Sequence, residues 1–469
     1  MSSKYHMLDK SHGHVKPTTT ITKKIKICIL HLLKGLLNSP VTFFKSSCSI
    51  IYVALFIIVL LILNGQPKSI FPPKAHIPWL TNVHHVQPLE CIADMNQPGW
   101  PRPVLSNDKS DMNLTVVTVS ARPEFKRLPV TMAALLSHLD SRRITEVMFL
   151  VPPQDVHLLQ PYFSSEQVKS WPWRVSVISD NILLKHIHTT SYRLQMMFKL
   201  FVAQIVKTEH YLILDSDCVA VWPIHVEQLL HQNKNSSLYQ AINHAEGRSS
   251  HEKWWSESER LLQIKLESCV SYDKSDTDIP TIGVTPSILS RTIALRTLCR
   301  LQKLYGDEIF LNKMANWALW REIFGYMWTE YTLYFLTGRC TKIFDTYHTD
   351  NSALSSSNSI ARVELTGFSI WSHLDWTVKN QNKLIESIHN GLRWRQKETD
   401  EANGQAITDK STSMHNLFAV LQGRHNVDPK LYHQYFYPLY IKYLQQQKQS
   451  DKLILILNNM TRKLAINKH

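Results

Sequence analysis

Between Asn113 and Val221, apolar runs with strand chemistry alternate with segments of helical periodicity. The order is "LTVVTVSA", "RLPVTMAALLSHL" with Pro129 in the first turn of a helix, "EVMFLVPP", "QDVHLLQPYF", "WRVSVISD", "SYRLQMMFKLFVAQIVKT" and "YLILDSDCVAV". Four strands with helices between them predict an α/β fold built on a mostly parallel sheet flanked by helices. Ligands of such sheets bind beyond the carboxyl ends of the strands. Those ends carry Ser120 and Arg122 after the first strand, and Asp215 and Asp217 at the end of the fourth.

The acids are the unusual element. In a strand, residues i and i+2 share a face, so Asp215 and Asp217 are expected to project together with Ser216 opposite. Two carboxylates so close repel each other, and an interposed Mn²⁺ or Mg²⁺ relieves the repulsion with hard oxygen ligands. Such a cation can also hold a diphosphate and neutralise the charge that grows on it as it leaves. Acid pairs at strand ends elsewhere only meet solvent or cap a helix, so the surrounding chain decides.

Residues 1–47 hold eight lysines and one acid, Asp9, which is half of the net charge of +14. The rest is spread too thinly for nucleic acid, and no nucleic-acid motif accompanies it. Residues 48–63, "CSIIYVALFIIVLLIL", carry no charge and would span roughly 24 Å as a helix. The long basic lead-in and the missing cleavage site predict an uncleaved signal anchor with a cytosolic amino terminus. The body would then face the lumen of the Golgi or endoplasmic reticulum. Residues 64–112 are rich in proline and read as a stem, with Trp79, Trp100 and Cys91 suggesting that part of it docks. Residues 113–400 form the expected α/β domain, and 401–469 a helical extension broken near Pro438.

Of seven cysteines, Cys28 and Cys48 belong to the tail and membrane edge. The other five allow at most two disulfides within the chain. The sequons at Asn113, Asn235 and Asn459 agree with a lumenal address. There is no C-x-x-C and no glycine-rich phosphate loop.

The lysine-rich tail, short anchor, proline-rich stem and "LILDSDCVAV" together resemble a type II membrane glycosyltransferase of the GT-A fold. With "YRLQMMFKLFVAQ" before the acids and "PTIGVTP" and "WTEYTLY" after them, residues 113 to about 380 also look like a glycosyltransferase-like family without an assigned substrate. The resemblance implies that Asp215 and Asp217 hold a divalent metal on the diphosphate of a sugar nucleotide. Ser120 and Arg122 would then lie near its base and ribose.

The resemblance also implies a late histidine as third metal ligand. His373 in "GFSIWSHLDW" is the choice and His348 the rival, each weighed against a structural histidine in a hydrogen-bonded core. Gln195 and Lys199 share one face of a helix, where Gln195 could reach the nucleoside and Lys199 a phosphate; a solvated polar face is the plainer reading. Glu330, opening a helix after "GYMWT", is the candidate general base, weighed against a glutamate that only favours a helix N-terminus. Asp307, Asp345 and Asp375 stay open for that role. Trp254, Trp255, Trp317, Trp320 and Trp328 could form a sugar-stacking platform or simply core.

The expected activity is metal-dependent transfer of a sugar from a nucleotide donor to a glycan or glycoprotein hydroxyl. The alternatives are a membrane-tethered glycan-binding protein without catalysis, and a metal-dependent phosphoesterase.

Overall fold

The computed structural model describes residues 89–104, 112–164, 167, 169–184, 187, 189, 191–232, 237–243, 246–269, 281–315, 326–350, 363–370, 377–402, 415–421 and 428–466. The expected tail, anchor and first part of the stem lie outside them, as do His373 and Asp375. Among the described residues, no helix is long and apolar enough to cross a membrane.

Strands β1 (Cys91–Ile92) and β2 (Arg102–Pro103) form a short antiparallel pair. Strands β3 (Leu114–Val119), β4 (Ile144–Val151), β5 (Arg174–Ser179) and β6 (His210–Leu214) run parallel, as the alternation predicts. Strands β7 (Cys218–Ala220), β8 (Leu230–Gln232) and β9 (Tyr239–Asn243) belong to flanking sheets. Strand β10 (Ser287–Ser290) returns antiparallel to β6, giving the central order β10-β6-β3-β4-β5. Strand β11 (His348–Asp350) pairs with β9, while β12 (Val363–Ile370) and β13 (His415–Leu421) complete a three-stranded sheet with β7.

The inner strands β3, β4 and β6 are buried on both sides, which is why they read as nearly unbroken apolar runs. Val116, Val147, Phe149, Leu212 and Leu214 join one core cluster, and Val117, Val119, Met148, Leu150, Tyr211 and Ile213 the other. Helices α1 (Leu128–His138), α7 (Val378–Ala402), α8 (Tyr437–Gln446) and α9 (Asp451–Met460) pack into the first. Helices α2 (Ser191–Phe201), α3 (Glu252–Leu262), α4 (Arg291–Tyr305), α5 (Asp307–Ala315) and α6 (Glu330–Cys340) pack into the second. Local chemistry sets their starts: the Ser290 and Thr329 side chains accept hydrogen bonds from the backbone N–H groups of Ile293 and Thr332, capping α4 and α6.

Packing defines two segments outside the central sheet. The "stem" docks over residues 89–104, since a disulfide joins Cys91 to Cys299, Asp94 pairs with Arg296, and buried Trp100 lies under the Arg300 guanidinium at 4.8 Å. The expected helical extension carries α8 and α9 but also holds a strand. Helix α7 runs across residue 400, and β13 lies inside the segment read as a helical tail. Phe418 on β13 and Tyr440 on α8 are fully buried, and the Tyr440 hydroxyl donates to the Ala220 carbonyl. A second disulfide joins Cys269 to Cys340 and leaves Cys218 as a buried thiol. Each disulfide stabilises by restricting the unfolded chain, typically by about 2–4 kcal/mol.

At the amino end of the central sheet, His225 ties α1 to α7. Its Nδ1 lies 3.2 Å from Asp140 and its Nε2 3.0 Å from Glu398. Burial lowers the imidazole pKa, but the hydrogen bonds and charges of Glu398 and Asp140 outweigh it and leave the pKa above 6.5, with Arg395 opposing. The imidazolium's contribution to stability is therefore complete below that value and is lost as pH rises through the folded pKa. Glu398 has a lowered pKa despite its burial, so its share is lost instead as pH falls through that lowered value. His225→Asn should thus cost most near pH 6, about 1–3 kcal/mol for hydrogen bonds between charged groups. Urea denaturation at pH 6 and pH 9 checks it: an equal cost at both values contradicts an imidazolium clamp.

Candidate functional site

The acidic turn is not a strand. Strand β6 stops at Leu214, residues 215–217 turn with the Cys218 N–H donating to the Asp215 carbonyl at 3.0 Å, and β7 leaves for another sheet. The i, i+2 argument therefore fails in its geometry, because the chain changes sheets there. Its outcome survives in the turn: Asp215 and Asp217 are part-exposed while Ser216 is buried. The far side of the turn is fixed by Leu421 on β13, whose N–H donates to the Asp217 carbonyl at 2.9 Å.

Helix α2 supplies the buried cation. Lys199 Nζ lies 3.0 Å from Asp215 Oδ1 and 3.1 Å from Glu330 Oε1, donates to Thr285 Oγ1 at 3.0 Å, and sits 5.5 Å from the centre of the Tyr331 ring. Its side chain is 7% exposed, that of Glu330 4% and that of Asp215 35%. Burial alone would lower the ammonium pKa, but the charges of Asp215 and Glu330 outweigh it and hold it well above its usual value. Burial pushes Glu330 up, against the pull of Lys199. Glu330 opens α6, with Thr329 as its cap. In this geometry it is first of all the counter-ion of Lys199. The solvated-face reading of α2 is overturned, because Lys199 is buried among acids.

Gln195, one helical turn earlier, donates to Glu124 Oε1 at a long 3.5 Å rather than facing open solvent. Glu124 was not singled out in the sequence. It closes a one-turn helix, Arg122–Glu124, after β3, and accepts from the Ser216 hydroxyl at 3.2 Å. Burial and the charge of Asp215 raise its pKa, with Arg127 opposing. Only its place two residues after Arg122 at a strand end could have marked it. Ser120 is buried beside the turn region, and its Oγ has no hydrogen-bond partner among the described residues. The Arg122 side chain is exposed, while its N–H donates to Asp155 at 3.0 Å.

The structure separates other candidates from this site. His348 is buried against His210, at the opposite end of β6 from the acids, with its Nε2 2.6 Å from the Tyr334 hydroxyl. It is a core histidine, too far along β6 to share a cation with Asp215. Asp307 accepts from Gln302, and Asp345 pairs with Arg339 in an exposed position. Trp255 and Trp328 are core, and Trp254 stacks on His251; Trp317 and Trp320 lie outside the described residues. Asp140, His225 and Glu227 bring ligand atoms within 4.8 Å of one another. There, however, Arg142 occupies the Asp140 carboxylate and both His225 nitrogens face carboxylates, which suits an imidazolium rather than a metal ligand.

At the acidic turn, the residues fit a divalent cation by charge. Among the described residues, the carboxyl groups of Glu124, Asp215, Asp217 and Glu330 lie with the cations Lys199 and Arg127 around the turn. Asp215 keeps an exposed side beyond Lys199, and such an excess of hard oxygen acceptors is what Mn²⁺ or Mg²⁺ relieves.

A family model matches residues 114–441, well over half of the chain. The chain belongs to the family of unknown function DUF6492. No curated protein matches it. Among solved structures, this DUF6492 chain is similar to mouse xyloside xylosyltransferase 1, at 9% identity and a TM-score of 0.33, over 67% of this chain and 100% of that one. It is similar to the galactosyltransferase LgtC in complex with donor and acceptor sugar analogues, at 9% identity and a TM-score of 0.31, over 71% and 95%. A third is the glycosyltransferase GlyE of Streptococcus pneumoniae, at 10% identity and a TM-score of 0.29, over 72% and 64%.

Proposed function

We propose that this protein is a metal-dependent glycosyltransferase of the GT-A type, moving a sugar from a nucleoside diphosphate to a glycan or glycoprotein hydroxyl. The observation that carries the reading is the part-exposed Asp215–Asp217 turn at the carboxyl end of β6, backed by a buried lysine and an excess of acids. Asp215 and Asp217 would hold Mn²⁺ or Mg²⁺, with His373 as proposed third ligand. Bound there, the ion would neutralise charge growing on the leaving diphosphate.

The chain's own groups do the rest. Lys199 fixes the orientation of Asp215 from the protein side. The Ser120 hydroxyl, which has no partner among the described residues, and the exposed Arg122 guanidinium would meet the base and ribose. Gln195 would reach the nucleoside from α2, with its amide also donating to Glu124. Glu330 would take the acceptor proton once the donor phosphates draw Lys199 away from it. The two disulfides support a lumenal domain behind the expected Golgi or endoplasmic reticulum anchor.

A thermal-shift screen of the purified protein against sugar nucleotides, with and without Mn²⁺, tests this. Ligand binding to the folded state raises the melting point by mass action. Stabilisation by one nucleotide class only when Mn²⁺ is present is expected. No response to any nucleotide with metal contradicts the donor reading and favours a glycan-binding protein.

A further inference from the structure

The contacts around the acids close into a ring. Lys199 holds Asp215; Ser216, next in the turn, donates to Glu124; Glu124 accepts from Gln195; and Gln195 stands one turn before Lys199 on α2. Ser216 is also held at its carbonyl, which accepts from the Thr131 hydroxyl of α1 at 3.2 Å. The middle residue of the turn is thus anchored twice from the segment that follows β3, while the acids on either side stay part-exposed.

We infer that Glu124 is a positioning residue of the cation site, setting the aim of Asp215 and Asp217 through the Ser216 hydroxyl. This deepens the metal-dependent reading above and rests on it. A structural role alone explains the choice of residue poorly. The Ser216 hydroxyl and the Gln195 amide need only an acceptor, which a neutral glutamine would provide. The chain instead places an acid in a half-buried position close enough to Asp215 for the two charges to repel. An acid there both fixes the turn and adds to the negative field that draws a cation. Groups that orient metal ligands from behind typically change metal affinity by about 10–100-fold when removed.

The test is Mn²⁺ binding to the full-length protein in detergent, followed by electron paramagnetic resonance of the free ion, with no nucleotide present. Glu124→Ala and Ser216→Ala should each weaken Mn²⁺ binding by about tenfold or more. The double variant should lose little beyond either single one, because both break the same contact. Glu124→Gln keeps an acceptor for Ser216 and removes the repulsion. It should melt no lower than wild type while binding Mn²⁺ better than Glu124→Ala does. Glu124→Ala affinity within twofold of wild type, or losses that add in the double variant, overturns the inference and leaves the metal site standing. A wild-type protein that binds no Mn²⁺ overturns the metal site itself, and the inference with it.

Discussion

Lys199→Met is expected to destabilise the protein by about 3–5 kcal/mol, the usual cost of removing one partner from a buried ion pair. The reason is Glu330. Its carboxylate is 4% exposed and Lys199 is its ion-pair partner, so the variant leaves a buried charge uncompensated. Glu330 would respond by keeping its proton, since burial already raises its pKa. With a folded-state pKa raised above the unfolded one, the variant loses stability as pH rises, and its deficit should be smaller at pH 5 than at pH 8. Chemical denaturation at the two pH values measures this. The double variant Lys199→Met/Glu330→Gln should regain much of the loss, because an uncharged pair needs no counter-ion. A Lys199→Met protein as stable as wild type at pH 8 would show that the pair is not buried as described.

The second large effect concerns activity. Asp217→Ala should keep the link from the turn to β13, since the Leu421 contact uses the Asp217 backbone carbonyl. Glycosyl transfer should nevertheless fall by more than about a hundredfold. A bound cation supplies several kcal/mol of charge stabilisation, and each 1.4 kcal/mol, roughly, is a factor of ten in rate. Turnover of the sugar nucleotide found in the thermal-shift screen, with melting temperature as the control, checks it. Unchanged turnover in Asp217→Ala would remove that side chain from the reaction.

The central parallel sheet was legible because its inner strands β3, β4 and β6 are buried on two faces. A run such as "LTVVTV" has few other uses, and the helices between such runs leave parallel pairing as the simplest topology. The flanking sheet was not legible. Strand β7 is three residues long and continues the apolar run of β6, so nothing local shows that the chain has changed sheets at Asp215. Its partner β13 lies about 200 residues away in a segment dominated by helical patterns, and pairing over that distance leaves no periodic trace.

The site divides in the same manner. Asp215 and Asp217 stood out as charges interrupting an apolar run. Lys199 was ambiguous, because amphipathic spacing gives the face of a helix but not what covers it. What covers it is Asp215, 16 residues on, and Glu330, from the start of α6. Glu124 carried no periodic signal at all: an acid in a proline-containing turn looks like any surface turn until Ser216 is placed against it.

The most direct single measurement is release of nucleoside diphosphate from a panel of sugar nucleotides by the purified protein, in Mn²⁺ and in excess chelator. The proposed function predicts release from one nucleotide class in Mn²⁺, its loss in chelator, and its loss in the Asp215→Asn/Asp217→Ala double variant. Release that persists at the same rate in chelator and in the double variant, or no release from any donor with metal and acceptor glycans present, would contradict a cation-holding acidic turn as the centre of this protein's chemistry.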